Sequence, residues 1–445
     1  MIWNPEAETA ARDDLEALQL RRLRATVGLL LRSVPPQAER LRAAGITAEA
    51  DVSSLADLAR LPFNAKRDLR AQYPWGLFAV PREQLVRIHA SSGTRGKPTV
   101  VGYTRADLAL WSEVMARCLV AAGVRPGMVV HNAYGYGLFT GGLGIHQGAE
   151  LLGATVIPMS GGFTNRQVMM MQDLGSQALA CTPSYALNLA QYIREQQIDP
   201  TTISLEVGVF GAEPWTDEMR AVVEQELGLK AINLYGLSEI VGPGVSIECA
   251  EGRSGAHVQE DHFLPEIVDP ETGAVLPPGQ EGELVLTTLT KEALPLLRYR
   301  TGDISSLDPA PCICGRTTVR MARVRGRYDD MLIVRGVNLY PSEVERILLN
   351  VGGIAPHYQL ILERPGTMDE LSVLCEAADA SADAGALRTR LERALYAETS
   401  LRIAVQLLES GSVPRSEGKA VRVVDRRPRP ATSGPTITRR PTADL

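Results

Sequence analysis

Between residues 85 and 240, short apolar runs alternate with stretches that repeat their apolar positions every three to four residues, and that alternation leaves few folds open. Val129-Val130 and the runs 154–157, 178–181 and 206–210 have the length and content of strands, and the spacing predicts helices over 106–122 and 216–227 between them. Strands separated by helices pair through crossovers, which yields a parallel sheet covered by helices.

After residue 240 the pattern changes to strands and turns, as in residues 282–288, which follow the turn-rich Pro277-Pro-Gly-Gln280. It resets again after Arg327-Tyr-Asp-Asp330: a helix over 342–350, strands over 358–362 and 371–376, a helix over 387–398 and a strand over 403–408. The expected fold class is therefore α/β: a large N-terminal domain, residues 1–328, of parallel and mixed sheets with helices plus a β-rich segment, then a small α+β C-terminal domain, 329–427. Leu20, Leu23, Val27 and Leu30 place an amphipathic packing helix at the start, stopped by Pro35-Pro36. Residues 428–445, rich in Pro, Thr and Arg, read as a disordered tail.

Composition narrows the partners. The chain has 445 residues and a formal net charge of −6, with scattered cations, which gives no footprint for nucleic acid and points to a small molecule. No run approaches the ~18 apolar residues of a membrane span, and the acidic first twenty residues do not resemble a secretory signal. Six cysteines are too sparse for a disulfide framework, so a cytoplasmic location is expected.

Ser91-Ser-Gly-Thr-Arg-Gly-Lys-Pro-Thr99 is dense in glycines, hydroxyls and cations, a composition that can curl backbone N–H groups round a polyphosphate. The spacing of Gly93 and Gly96, and Pro98 after the lysine, exclude the Walker pattern; a polar surface turn would have the same composition. Tyr235-Gly-Leu-Ser-Glu239 sets a hydroxyl and a carboxylate just past a strand, where α/β sheets bind ligands. Arg298-Tyr-Arg-Thr-Gly-Asp303 offers an acid for ribose hydroxyls or a structural ion pair, and Arg415-Ser-Glu-Gly-Lys419 a loop lysine that in isolation would be solvated surface. Cys312-Ile-Cys314 with Cys249 and His257 supplies the four soft ligands of a tetrahedral zinc site, or plain buried thiols.

The order of these segments, with Gly211-Ala-Glu-Pro-Trp215 and Gly326-Arg-Tyr-Asp-Asp330 between them, resembles the adenylate-forming superfamily. Tyr134-Gly-Tyr-Gly-Leu-Phe-Thr-Gly-Gly142, Thr182-Pro-Ser-Tyr185, Leu289-Thr-Lys-Glu-Ala-Leu-Pro295 and Asp330-Met-Leu-Ile-Val-Arg-Gly-Val-Asn338 resemble the phenylacetate-CoA ligase family over roughly residues 5 to 427.

That resemblance implies an ATP-dependent, AMP-forming ligase that activates an aromatic carboxylic acid as acyl-AMP and passes it to coenzyme A. Ser91, Ser92, Gly93, Thr94, Gly96 and Lys97 would hold the phosphates, Glu239 would place Mg²⁺, and Lys419 would bridge acyl oxygen and α-phosphate. The backbone of Gly211, Ala212, Glu213 and Pro214 and the Tyr235 ring would enclose adenine, Gly236 and Ser238 would also bind the nucleotide, and Asp303 and Arg327 would sit at the ribose. Asp329 would be the hinge of a mobile small domain, Lys66 an active-site lysine in one arrangement or a surface ion pair in another. Tyr136, Phe139, Gly141, Gly144, Phe210, Ile240 and Pro243 would wall the acyl pocket. A homodimer is compatible with the reading.

Arg95 replaces a threonine, and Gly302 an arginine, that relatives often carry, so nucleotide affinity and the ribose turn are the expected points of departure. Three alternatives stay open at this stage: a ligase for a hydroxy- or aminobenzoate such as anthranilate, loading onto a carrier-protein phosphopantetheine, and a nucleotide-binding protein without catalysis.

Overall fold

The computed structural model describes residues 1–91, 98–366, 368–379, 383–416 and 418–427, the Asp329 side chain excepted. The expected phosphate-binding residues Ser92 to Lys97, and the tail over 428–445, lie outside the described residues.

Strands Thr155–Ile157, Val129–Asn132, Ala178–Cys181, Val207–Gly211 and Lys230–Leu237 pair side by side in parallel. Ala178–Cys181 and Val207–Gly211 are buried at every position, the pattern of strands covered on both faces. The β-rich segment first extends this sheet rather than starting another. Gly242–Glu248, Ala256–Val258, Arg320–Met321 and Leu307–Asp308 add to it antiparallel, making nine strands among the described residues. A second, antiparallel sheet follows the order Phe263–Val268, Gly282–Thr288, Tyr299–Ser305, Gly326–Arg327.

Helix Arg105–Ala122 starts at a capping box, Thr104 accepting from the Asp107 N–H, and ends at left-handed Gly123. It packs with helix Gly141–Leu152 against one face of the large sheet, while helices Pro183–Glu195 and Asp217–Leu227 cover a second core on the other face. Val209 and Phe210, successive residues of one strand, enter these two cores separately, as the strand period requires.

The small domain has its own core from Leu332 to Val405. Ile354–Glu363 and Glu370–Ala377 pair antiparallel at its centre, with Ala404–Leu408 and Val423–Asp425 added in parallel at the edges. The helices expected there run Pro341–Val351 and Ala384–Thr399. Strand Val423–Asp425 is not signalled by sequence pattern, yet it ties down the chain just after Lys419, with the Leu360 N–H donating to Arg422 O at 2.7 Å. Helix Pro341–Val351 lies against Asp217–Leu227 of the large domain. Among the described residues no helix is long and apolar enough to cross a membrane.

Candidate active site

The carboxyl ends of Val207–Gly211 and Lys230–Leu237 begin the site. A Cβ on Gly211 would lie 2.2 Å from Leu234 O, so only glycine lets the two strands meet there, and Ala212 follows at φ +73°. This turn aims the Glu213 carboxylate across the domain boundary. Its oxygens accept from the Ser184 N–H at 2.7 Å and the Ala420 N–H at 2.8 Å. Motif matching had set Glu213 beside adenine; the structure gives its side chain these backbone partners.

The Tyr235 hydroxyl donates to Asp303 Oδ2 at 2.6 Å. Burial, and then the neighbouring Asp303 charge, raise the Tyr235 pKa well above the ordinary phenol value, so the hydroxyl stays a donor. Asp303 sits opposite Arg327 in the pairing of Tyr299–Ser305 with Gly326–Arg327. Gly302 takes φ +80° with its N–H on Glu283 Oε1 at 3.0 Å, a backbone that a residue with a Cβ would adopt under strain. The glycine departure thus matches the turn rather than loosening it.

Lys419 keeps solvent-exposed surface, in a loop whose backbone on either side is bonded by the large domain. Loss of water lowers its pKa, while Glu213, Asp303 and Glu239 pull it up and Arg327 pushes it down. A loop lysine from the small domain therefore lies in the field of three acids of the large domain. Glu239 is buried at 6% exposure and acts on Tyr103 and Tyr299 as well as Lys419. Gly236 pairs with Pro243, and Ser238 Oγ lies 3.2 Å from Thr140 Oγ1.

Strands Arg87–Ala90 and Val100–Tyr103 form a hairpin whose connection is the expected phosphate loop, closed at its described ends by the Ser91 N–H donating to Thr99 O at 2.9 Å. The Ser91 and Thr99 hydroxyls are buried without a partner among the described residues. Lys66 opens helix Lys66–Ala71 and makes no ion pair with the described residues. Asn64, two residues before it, bonds the backbone of Arg298 and Arg300, which fixes this segment beside the strand of Asp303. Asp329 falls in the single turn Tyr328–Asp330 between the domains; its side chain is outside the described residues.

At the expected acyl pocket, Tyr136 receives Asn132 Nδ2 at 2.7 Å and lies 3.0 Å from His146 Nδ1, so its ring is pinned. A Cβ on Gly144 would fall 2.6 Å from the Trp111 ring and 2.7 Å from Pro243 Cγ. Gly141 lies over Tyr134, Ile240 is fully buried, and Phe139 is half exposed. Phe210 does not join this wall: it is on the opposite face of its strand, in the second core, edge-on to Trp215 at 5.9 Å. The sequence reading missed Trp111, Asn132 and His146, none of which stands in a dense polar motif.

Apart from this site, Cys249, His257, Cys312 and Cys314 bring their ligand atoms within 4.8 Å of one another. Cys249 and Cys312 Sγ are 3.6 Å apart, and Cys314 Sγ is 3.3 Å from His257 Nε2. His257 Nδ1 faces Thr318 O at 3.3 Å, leaving Nε2 toward the thiols. Burial, then the Arg316 charge, push the His257 pKa down to about 4, so the ring is a neutral donor of a lone pair.

The AMP-binding enzyme family matches residues 19–289, and the AMP-binding enzyme C-terminal domain matches 336–427. The phenylacetate-coenzyme A ligase of Thermus thermophilus is 52% identical over 96% of this chain and 100% of that protein; that of Aromatoleum evansii is 50% identical over 95% and 97%. Among solved structures, 2-hydroxyisobutyryl-CoA ligase in the postadenylation state, with a bound acyl adenylate, superposes at TM-score 0.90 and 28% identity, covering 95% of this chain and 92% of that one. The same ligase with CoA in the thioesterification state gives 0.72.

Proposed function

The chain belongs to the AMP-binding enzymes, and within them to the phenylacetate-coenzyme A ligases; from that membership and the geometry above we propose how its residues divide the work of an ATP-dependent aryl-CoA ligase. The observation that carries this reading is the seating of the Lys419 loop of one domain on the other, with the Thr182 hydroxyl on Gly418 O and Glu213 on the Ala420 N–H, where the charges of Glu213, Asp303 and Glu239 act on the ammonium.

A carboxylate is a poor acyl donor because oxide would have to leave. In the first half-reaction a carboxylate oxygen attacks the α-phosphorus of ATP, a new P–O bond forms, and the bond to the β-phosphate bridging oxygen breaks to release pyrophosphate. Both reactants are anions. Lys419 neutralises the meeting oxygens, and the hydroxyls of Ser91 and Thr99 serve the polyphosphate with Ser92 to Lys97. Asp303, which already accepts from the Tyr235 hydroxyl, accepts the ribose hydroxyls, with Arg327 beside it. In the second half-reaction the coenzyme A sulfur attacks the acyl carbon and AMP departs with the electron pair. Lys419 has no task there, which is why a hinge at Asp329 that carries it away serves the chemistry.

Glu239 fits Mg²⁺: it is a buried hard-oxygen donor facing the site, and the metal would screen the phosphate charge. Tyr136, Phe139, Gly141, Gly144, Ile240 and Pro243 wall a flat slot against Trp111. Arylacetic acids are favoured over benzoates, since the relatives at 49% to 52% identity are phenylacetate-coenzyme A ligases.

The four soft ligands fit a structural zinc ion. Bonds of ~2.3 Å in a tetrahedron set ligand sulfurs about 3.7 Å apart, close to the 3.6 Å between Cys249 and Cys312 and far beyond a disulfide. The ion would cross-link the strand end at Cys249 to the loop of Cys312 and Cys314.

The test is pyrophosphate release and thioester formation across arylacetates and benzoates, with coenzyme A or a phosphopantetheinylated carrier as acceptor. Phenylacetate with coenzyme A should give the highest kcat/KM; a benzoate or the carrier leading would overturn the assignment.

A further inference from the structure

Two motifs singled out in the sequence, Thr182-Pro-Ser-Tyr185 and Gly211-Ala-Glu-Pro-Trp215, carry side chains, Thr182 and Glu213, that receive no chemical task from the reaction as described. In the structure both touch the small domain. Thr182 caps helix Pro183–Glu195, and its hydroxyl donates to Gly418 O at 2.9 Å, one residue before the catalytic lysine. Glu213 accepts from the Ala420 N–H, one residue after it, while its other oxygen takes the Ser184 N–H at the same helix start. The lysine is thus held on both sides through backbone groups. Arg415, at the root of the loop, is locked by the buried Glu376 at 2.7 and 2.9 Å and reaches Gln191 of the large domain at 2.8 Å.

A second contact runs the opposite way. Glu345, buried at 3% exposure in the small-domain helix Pro341–Val351, accepts from the Thr216 N–H of the large domain at 3.2 Å. Thr216 is the N-cap of helix Asp217–Leu227. Glu345 also takes the Tyr358 hydroxyl at 3.1 Å and lies 3.6 Å from Arg422. The Arg422 guanidinium rests 4.4 Å over the Tyr358 ring and reaches Ser184 Oγ at 3.5 Å. Each domain therefore sets one carboxylate on a backbone N–H of the other: Glu213 on Ala420 in the lysine loop, and Glu345 on Thr216 at a helix start, where the positive end of the helix dipole adds to the bond.

We propose that Glu213 and Glu345 form a reciprocal clamp that holds Lys419 in place for adenylation and must release before the thiol can react. The two carboxylates are positioning residues: they act on the lysine loop and on the domain arrangement, and Glu345 lies in the interface among Thr216, Tyr358 and Arg422. The inference rests on the proposed two-step reaction and goes beyond it in naming what sets the balance between its two domain states. Buried charge-assisted bonds to backbone donors are directional, so they are lost together once the small domain turns. The same directionality makes them specific to one arrangement, unlike the apolar contact of Leu349 with the second core.

The two half-reactions separate a clamp from general damage. Full-length Glu345→Ala and Glu345→Gln are compared with wild type in pyrophosphate release from ATP and phenylacetate, and in thioester formation from chemically prepared phenylacetyl adenylate and coenzyme A. In Glu345→Ala, adenylation should fall roughly tenfold or more, while thioester formation stays at or above the wild-type rate. Glu345→Gln, which keeps the shape and one acceptor oxygen, should recover part of the loss and also guards against a variant that fails to fold. Equal losses in both half-reactions of Glu345→Gln, or no loss in either variant, would overturn the clamp. A wild-type chain that forms no adenylate would instead defeat the reaction on which it rests.

Discussion

Replacing Lys419 with alanine tests the centre of the proposed site. Among the described residues the charges of Glu213, Asp303 and Glu239 act on the ammonium with Arg327 opposing, so its removal leaves three acids unbalanced near an incoming carboxylate and the α-phosphate. Loss of one such contact in a water-poor site costs about 3 kcal/mol in the transition state, on the order of a hundredfold in rate. The loop carries little of the core, so stability should hold. The assay is pyrophosphate release at saturating ATP and phenylacetate, beside thioester formation from supplied phenylacetyl adenylate; the first should collapse and the second persist. Burial lowers the lysine pKa, so the wild-type adenylation rate should decline on the alkaline side below the usual lysine range, and that limb should vanish in Lys419→Ala. Undiminished adenylation, or equal loss in both half-reactions, would refute the assignment.

Gly144→Ala puts a methyl group 2.6 Å from the Trp111 ring and 2.7 Å from Pro243 Cγ, and since these two packed rings must shift, it should cost about 1–3 kcal/mol in thermal unfolding and raise the KM for phenylacetate. Purified chain should contain one zinc ion per molecule by elemental analysis, and a chelator should lower Tm while adenylation at low temperature persists; a metal-free, equally stable protein would exclude the ion. For Asp261, burial alone would raise the pKa, but the hydrogen bond from His262 and the Arg117 guanidinium at 2.9 and 3.2 Å carry it well below the ordinary value. Its contribution is present above the unfolded carboxylate pKa and lost as pH falls. Asp261→Asn should then cost about 3 kcal/mol at pH 7, and in urea titrations the gap from wild type should begin to narrow below about pH 4 and keep narrowing as pH falls further.

The parallel strands and their helices were legible because burial on both faces leaves continuous apolar runs such as Ala178–Cys181, which no surface segment imitates. The small-domain helices were placed to within a few residues by their period. Val423–Asp425 was not, since three residues carry no period and only the edge of a formed sheet makes them a strand. The site was legible as motifs because polar residues at strand ends need compact, glycine-bearing turns. Phe210 was misplaced for the same reason: a motif gives the strand end but not which face each side chain takes, and Val209 and Phe210 differ by one residue. Asn132, His146 and Trp111 carry no such local signal; they become neighbours of Tyr136 and Gly144 only through packing.

Glu213 shows how much one turn can carry. In the proposed site the backbone of Gly211 to Pro214 lies beside adenine, while the carboxylate of the same turn holds Ala420 and so the lysine loop. The close approach of Gly211 to Leu234 and the left-handed Ala212 leave that turn little room to adapt to one task without moving the other. A nucleotide that fixes the turn therefore favours the docked lysine, and linkage requires the docked lysine to favour the nucleotide by the same factor. Weakening the clamp at Glu345, a residue remote in sequence from every nucleotide motif, should accordingly weaken equilibrium binding of a non-hydrolysable ATP analogue as well as slow adenylation. Unchanged binding with slowed adenylation would confine the clamp to the lysine loop and remove the turn from the coupling.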